Sequence, residues 1–151
     1  MKMNKRGVTL LELIVVFVII AIGATLMIPN MGAWLPNYRL RSATRDLVST
    51  MRAAQMRAVS NNLEYEVFIT GGSYTLKRNS MGWIDDGDTK TLPTGITIFS
   101  NTFPSMGTTP AGSALFRPNS SSNGGTIVLQ NTKLTRRTIT VLPSTGRISI
   151  Q

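Results

Sequence analysis

Polar and apolar positions divide the chain into three regimes. From Val8 to Ile28, a run of 21 residues, only Thr9, Glu12 and Thr25 are polar. At about 1.5 Å of rise per residue a helix of that length covers roughly 30 Å, enough to cross a bilayer. From Tyr38 to about Asn62 the pattern changes. Leu40, Ala43, Leu47, Met51, Ala54 and Ala58 recur at spacings of three and four, which predicts an amphipathic helix with one apolar stripe. Arg41, Arg45 and Arg52 fall away from that stripe and read as a solvated face. After residue 62 short β-prone runs take over. Segments 64–70 and 73–78 flank Gly71-Gly72, a two-residue hairpin signal. Further strands are predicted at 95–100, 114–117, 126–130, 137–142 and 147–150. The stretches NTFPSMGTTPAGS and PNSSSNGG read as long flexible linkers.

Glu12 disturbs the first regime. An ionised side chain in a spanning helix costs on the order of a few kcal/mol, somewhat less near its end, and is usually retained for a partner. Pro29 removes a backbone donor, so a kink is expected there, and the stretch from Gly23 to Pro29 is a candidate for local unwinding. Pro36 predicts a second bend, with Trp34 suited to a membrane interface.

Charge orients the apolar run. Lys2, Lys5 and Arg6 all precede it, which places the N-terminus in the cytoplasm and the remainder on the far side. A secretory signal peptide is one alternative, with Ala21-Ile22-Gly23 as a small-x-small cleavage site. Glu12 in its centre, the apolar ATLMIPNM beyond it and the length of the run weigh against that. A plain single-span anchor is another alternative, and it leaves Glu12 unexplained.

The net charge of +9 is uneven, since residues 91–151 carry Arg117, Lys133, Arg136, Arg137 and Arg147 with no acidic residue. With no Cys and no His, thiol catalysis, a Ser-His-Asp triad, His-ligated metal and disulfides are excluded. Asp85-Asp86-Gly87-Asp88 lacks the ligand spacing of a Ca²⁺ loop and reads as an acidic turn. No phosphate loop or nucleophile elbow is present. The chain is therefore read as a non-enzyme without cofactor or metal.

Lys5-Arg6-Gly7 followed by Val8-Thr9-Leu10-Leu11-Glu12-Leu13 resembles the class III signal of type IV prepilins and type II secretion pseudopilins. The resemblance implies cleavage between Gly7 and Val8 by prepilin peptidase, N-methylation of Val8, and an assembly salt bridge from Glu12, fifth from the cut, to a neighbour's terminal amine. Val8 departs from the Phe usual at that position. Pro29 matches a proline common in the family, so that Gly23 and Pro29 mark the kink. SATRDLVSTMRAAQMRAVSNN with the late LFRPNSSSNGGTIVL and ITVLPSTGRISI resembles the GspH/FimT class of minor pseudopilins and minor pilins.

That resemblance implies an α+β, type IV pilin-like fold, a long kinked N-terminal helix packed on an antiparallel β-sheet domain. The expected parts are a leader at 1–7, a transmembrane helix at 8–28, its amphipathic continuation at 29–62 and a β-rich periplasmic domain at 63–151. The implied function is a subunit that primes or caps a type II secretion pseudopilus or a type IV pilus from the inner membrane. Its implied partners are prepilin peptidase, other pilin or pseudopilin subunits, an inner-membrane assembly platform and the lipid bilayer.

DNA is a rival partner. Some members of the FimT branch bind it through a C-terminal Gly-Arg-x-Arg, and here Gly146-Arg147-Ile148-Ser149 keeps only the first Arg. Lys133, Arg136, Arg137 and Arg147 are the residues such a surface would use. The missing second Arg disfavours this reading, and RRTITV reads equally well as a charged edge strand.

Overall fold

The computed structural model of the protein describes residues 9–27 and 31–151. Two helices lead, α1 (Leu10–Met27) and α2 (Met31–Asn61). Nine strands follow: β1 (Tyr65–Thr70), β2 (Ser73–Asn79), β3 (Trp83–Asp85), β4 (Lys90–Thr91), β5 (Ile96–Asn101), β6 (Ala114–Phe116), β7 (Gly125–Asn131), β8 (Arg136–Val141) and β9 (Ile148–Ile150). The chain divides into two compact units, Met1–Leu35 and Pro36–Gln151, which are described separately.

In the first unit α1 runs unbroken through Gly23 as far as Met27, so the predicted unwinding does not occur over that stretch. Pro29 lies outside the described residues. Pro36, where the second bend is predicted, stands inside α2.

The second unit is built on the apolar stripe of α2. Leu40, Ala43, Leu47, Met51, Ala54 and Ala58 are all buried, joined by Val48. Thr44 shares the buried side, and its hydroxyl donates back to the Leu40 carbonyl at 2.7 Å. The helix ends at Asn61, and Asn62 takes a left-handed conformation with φ of 53°, a common way to close a C-terminus.

Two antiparallel sheets complete the unit and form the antiparallel β-sheet domain expected from the sequence. One has the order β3-β2-β1-β6 with β4 also on β2, and the other runs β5-β7-β8-β9. The β1–β2 hairpin closes through Gly71 and Gly72, both at positive φ, with Thr70 opposite Ser73. Tyr65, Val67 and Ile69 of β1, Ile127 and Leu129 of β7, and Ile139 and Val141 of β8 alternate into one core with the α2 stripe. Burying these side chains away from water is the main stabilising force.

All seven predicted strands are present, and β3 and β4 are additional. The two linkers are not flexible tethers. Phe103, Thr109, Ser113, Ser122 and Asn123 are buried within them. Asn101 holds the Gly112 carbonyl at 2.7 Å, and Asn123 donates to the carbonyls of Pro104 at 2.9 Å and Ser113 at 2.8 Å. The segment 102–113 is thus fastened by side-chain amides together with a few backbone bonds, among them the Met106–Thr109 bridge and the Gly112 N–H to the Phe103 carbonyl.

Candidate functional site

The residues singled out in the sequence fall in two places, the first turn of α1 and the basic surface around β8. Gly7 and Val8 lie outside the described residues. Thr9 stands just before α1, and its Oγ1 accepts the Glu12 backbone N–H at 3.2 Å. Thr9-Leu10-Leu11-Glu12 has the spacing of a capping box, in which an acid at the third helical position favours the helix start. The carboxylate of Glu12 also lies in the first turn, where the helix dipole is positive. The T-x-x-E spacing is visible in the sequence, but within an apolar run it reads first as a misplaced charge.

Apart from Glu12 and Thr25, α1 carries no polar side chain. Leu10, Phe17, Ile19 and Ile22 are exposed, with Leu10 79% and Phe17 63% accessible. Fully covering one such side chain is worth about 1.5–3 kcal/mol, so this surface calls for an apolar environment. Among the described residues no helix is long and apolar enough to cross a membrane. At about 1.5 Å per residue, the 18 residues of α1 rise roughly 27 Å, slightly less than the roughly 30 Å of a bilayer core. The predicted span of 8–28 includes Val8 and Ile28, both outside the described residues.

The pleat separates the four basic residues considered for DNA. Lys133 lies in the turn before β8, which Asn131 organises by accepting the N–H groups of Lys133 and Thr135, each at 2.9 Å. Arg136 and Arg137 are adjacent on β8 and therefore point to opposite faces. Arg136 stacks on Phe99, 3.5 Å from the ring centroid, and its Nε donates to Gln130 at 2.9 Å. Phe99 is free to turn outward because the β5–β7 register shifts between Ile98 and Ser100. Arg137 shares the row of the buried Ile139 and Val141. Arg147 precedes β9 at the other end of β8, where Ile148 pairs with Val141. At about 3.4 Å per residue, the five positions from Arg137 to Leu142 cover roughly 17 Å. The four cations do not form one continuous row.

The acidic turn is neutralised from within. Asp86 pairs with Arg57 at 2.6 Å and Arg78 at 3.7 Å, and Asp85 with Lys77 at 3.5 Å. Among the described residues no three acidic side chains gather to hold a metal ion. Asp46 fastens α2 to the sheet, accepting from Lys90 at 2.8 Å and from the Tyr74 hydroxyl at 2.5 Å. The Lys90 and Tyr74 bonds hold the Asp46 carboxyl below its usual range, while burial and then the Asp46 bond push the Tyr74 phenol well above its own. Glu66, buried on β1, has its carboxyl pushed up by desolvation, which the charge of Lys77 only partly offsets, and its Oε2 makes no hydrogen bond among the described residues.

Residues 2–28 match the prokaryotic N-terminal methylation motif. Residues 43–145 match the family described as type II transport protein GspH. Among solved structures, the minor pseudopilin EpsH from the type 2 secretion system of Vibrio cholerae shares the fold with a TM-score of 0.61. The two are 11% identical over 75% of this chain and 96% of that one. No curated protein matches the chain.

Proposed function

The chain belongs to the GspH family, as a type II secretion minor pseudopilin-like pilin carrying the N-methylation motif, and from that premise we propose that it works as a processed, membrane-stored filament subunit. In this reading prepilin peptidase cuts between Gly7 and Val8, Val8 is methylated, and residues 8–28 anchor the subunit in the inner membrane with 63–151 in the periplasm. The subunit then leaves the membrane to prime or cap a pseudopilus or pilus, acting mechanically and without a cofactor.

The observation that carries the proposal is α1 itself, apolar apart from Thr25 and one carboxylate in its first turn. Such a helix suits lipid or a bundle of like helices. Cleavage places a positive α-amine at Val8, with an ordinary pKa of about 8. Pairing that amine with Glu12 of a neighbour removes both charges from an apolar setting together, whereas breaking the pair strands one of them. Glu12 then fixes the register in which subunits join.

Because a carboxylate in the first turn also favours the start of its own helix, two variants are needed. Glu12→Gln keeps a residue suited to the capping box but loses the charge, and Glu12→Ala loses both. Both variants should insert and be cleaved at Gly7, and both should be missing from sheared filaments and from co-purified partner subunits. Normal incorporation of Glu12→Gln would remove the charge-pairing role in assembly.

A further inference from the structure

Three arginines from two separate elements line a single recess. Arg41 and Arg45 are four residues apart on α2 and so lie on the same side of the helix. Arg137 comes from β8, in the row occupied further along by the buried Ile139 and Val141, the row that faces the core shared with α2. With Thr44 and Ile150 they enclose about 110 Å³.

Among the described residues none of the three has a carboxylate partner. Asp46, next to Arg45 in the chain, is already held by Lys90 and Tyr74. Like charges brought together repel, and one anion seated among them converts that repulsion into attraction. The fixed fork of a guanidinium matches a carboxylate through paired N–H donors.

We propose that this recess is a socket for a carboxylate side chain of a neighbouring filament subunit, an inference that rests on the subunit reading above. Its small volume admits one anionic group. The Ile150 side chain offers a short apolar wall for the stem of an Asp or Glu. A nucleic-acid strand instead presents a succession of phosphates and needs a succession of cations. Here Arg136 is turned to the opposite face and Arg147 lies at the other end of β8, so the charges do not continue away from the recess.

The test uses the full chain in detergent micelles with arginine side chains labelled for NMR. The probe is a blocked Ala-Glu-Ala peptide, with its Gln counterpart, inorganic phosphate and a short DNA duplex as parallel arms at one ionic strength. The Glu peptide should shift the Nε–H signals of Arg41, Arg45 and Arg137 together along one saturating curve, roughly millimolar because the site is partly solvated. The Gln peptide should leave them unmoved. Arg137→Gln should weaken the peptide about tenfold, since a charge-assisted bidentate contact is lost. Arg41→Gln, on the exposed face of α2, should act in the same direction and guards against a folding defect in the first variant. Stronger binding of phosphate or DNA than of the Glu peptide at the same three signals overturns the carboxylate assignment. Absence of a saturable shift overturns the socket itself. Cleavage at Gly7 should be unchanged in both variants, so failure of the socket is distinguishable from failure of the subunit reading.

Discussion

Asn123→Ala should loosen the 102–113 segment more than any other single polar change in the second unit. The Asn123 side chain is buried and makes three bonds to the backbone. Its Nδ2 donates to Pro104 and Ser113, and its Oδ1 accepts the Leu115 N–H at 3.0 Å. The bonds to Ser113 and Leu115 are buried, and the bond to Pro104 is partly so. Each buried backbone group left without a partner costs about 1–1.5 kcal/mol, and the half-wet Pro104 carbonyl about 0.5 kcal/mol. The total is about 3 kcal/mol. For a unit of this size that corresponds to a fall in Tm of roughly 10–15 °C. The assay is urea and thermal unfolding of residues 36–151, which contain the whole buried core. Asn119→Ala is the control, because its Oδ1 accepts only from Ser121 in an exposed turn, and it should cost about 0.5 kcal/mol or less. A loss below about 1 kcal/mol in Asn123→Ala would refute the idea that this amide, rather than water, satisfies the segment.

Gly146→Ala should destabilise by about 2 kcal/mol while Arg147→Ala stays within about 0.5 kcal/mol, because left-handed backbone disfavours a Cβ. Gly146 has φ of +59°, and an added Cβ would lie 2.8 Å from the Ser120 carbonyl oxygen and 2.8 Å from the Gln55 amide that bonds Thr145. Equal effects of the two substitutions in urea melts would contradict this. Glu66→Gln should stabilise the second unit at pH 7, because the neutral amide copies the protonated form that burial favours. The folded carboxyl titrates above its unfolded value. The wild type is therefore free of penalty below the unfolded pKa and loses stability as pH rises through the folded one. The advantage of Glu66→Gln should shrink as pH falls towards 4, and an advantage independent of pH would contradict the desolvation argument.

What was legible in the sequence was what repeats. The stripe from Leu40 to Ala58 and the alternation in the strands record burial directly, because each period places one side against the core. β3 and β4 span only three and two residues and bury little, so no period announces them. The amides of Asn101 and Asn123 look like ordinary linker residues until the carbonyls they hold are brought beside them by the fold. Arg136 and Arg137 look like one basic patch in one dimension. The pleat divides them, sending one to Phe99 and the other towards Arg41 and Arg45. Glu12 was legible as an anomaly; its backbone N–H bonds the Thr9 hydroxyl, a contact that does not involve the carboxylate assigned to assembly.

The central claim concerns a bond at the other end of the chain. Intact mass and N-terminal sequencing of the protein extracted from inner membranes read it directly. The account expects a chain of 144 residues, the 151 of the full sequence less the seven of the leader, beginning at N-methylated Val8. A terminus at Ala24, or an uncut chain beginning at Met1 in cells with active prepilin peptidase, would contradict it.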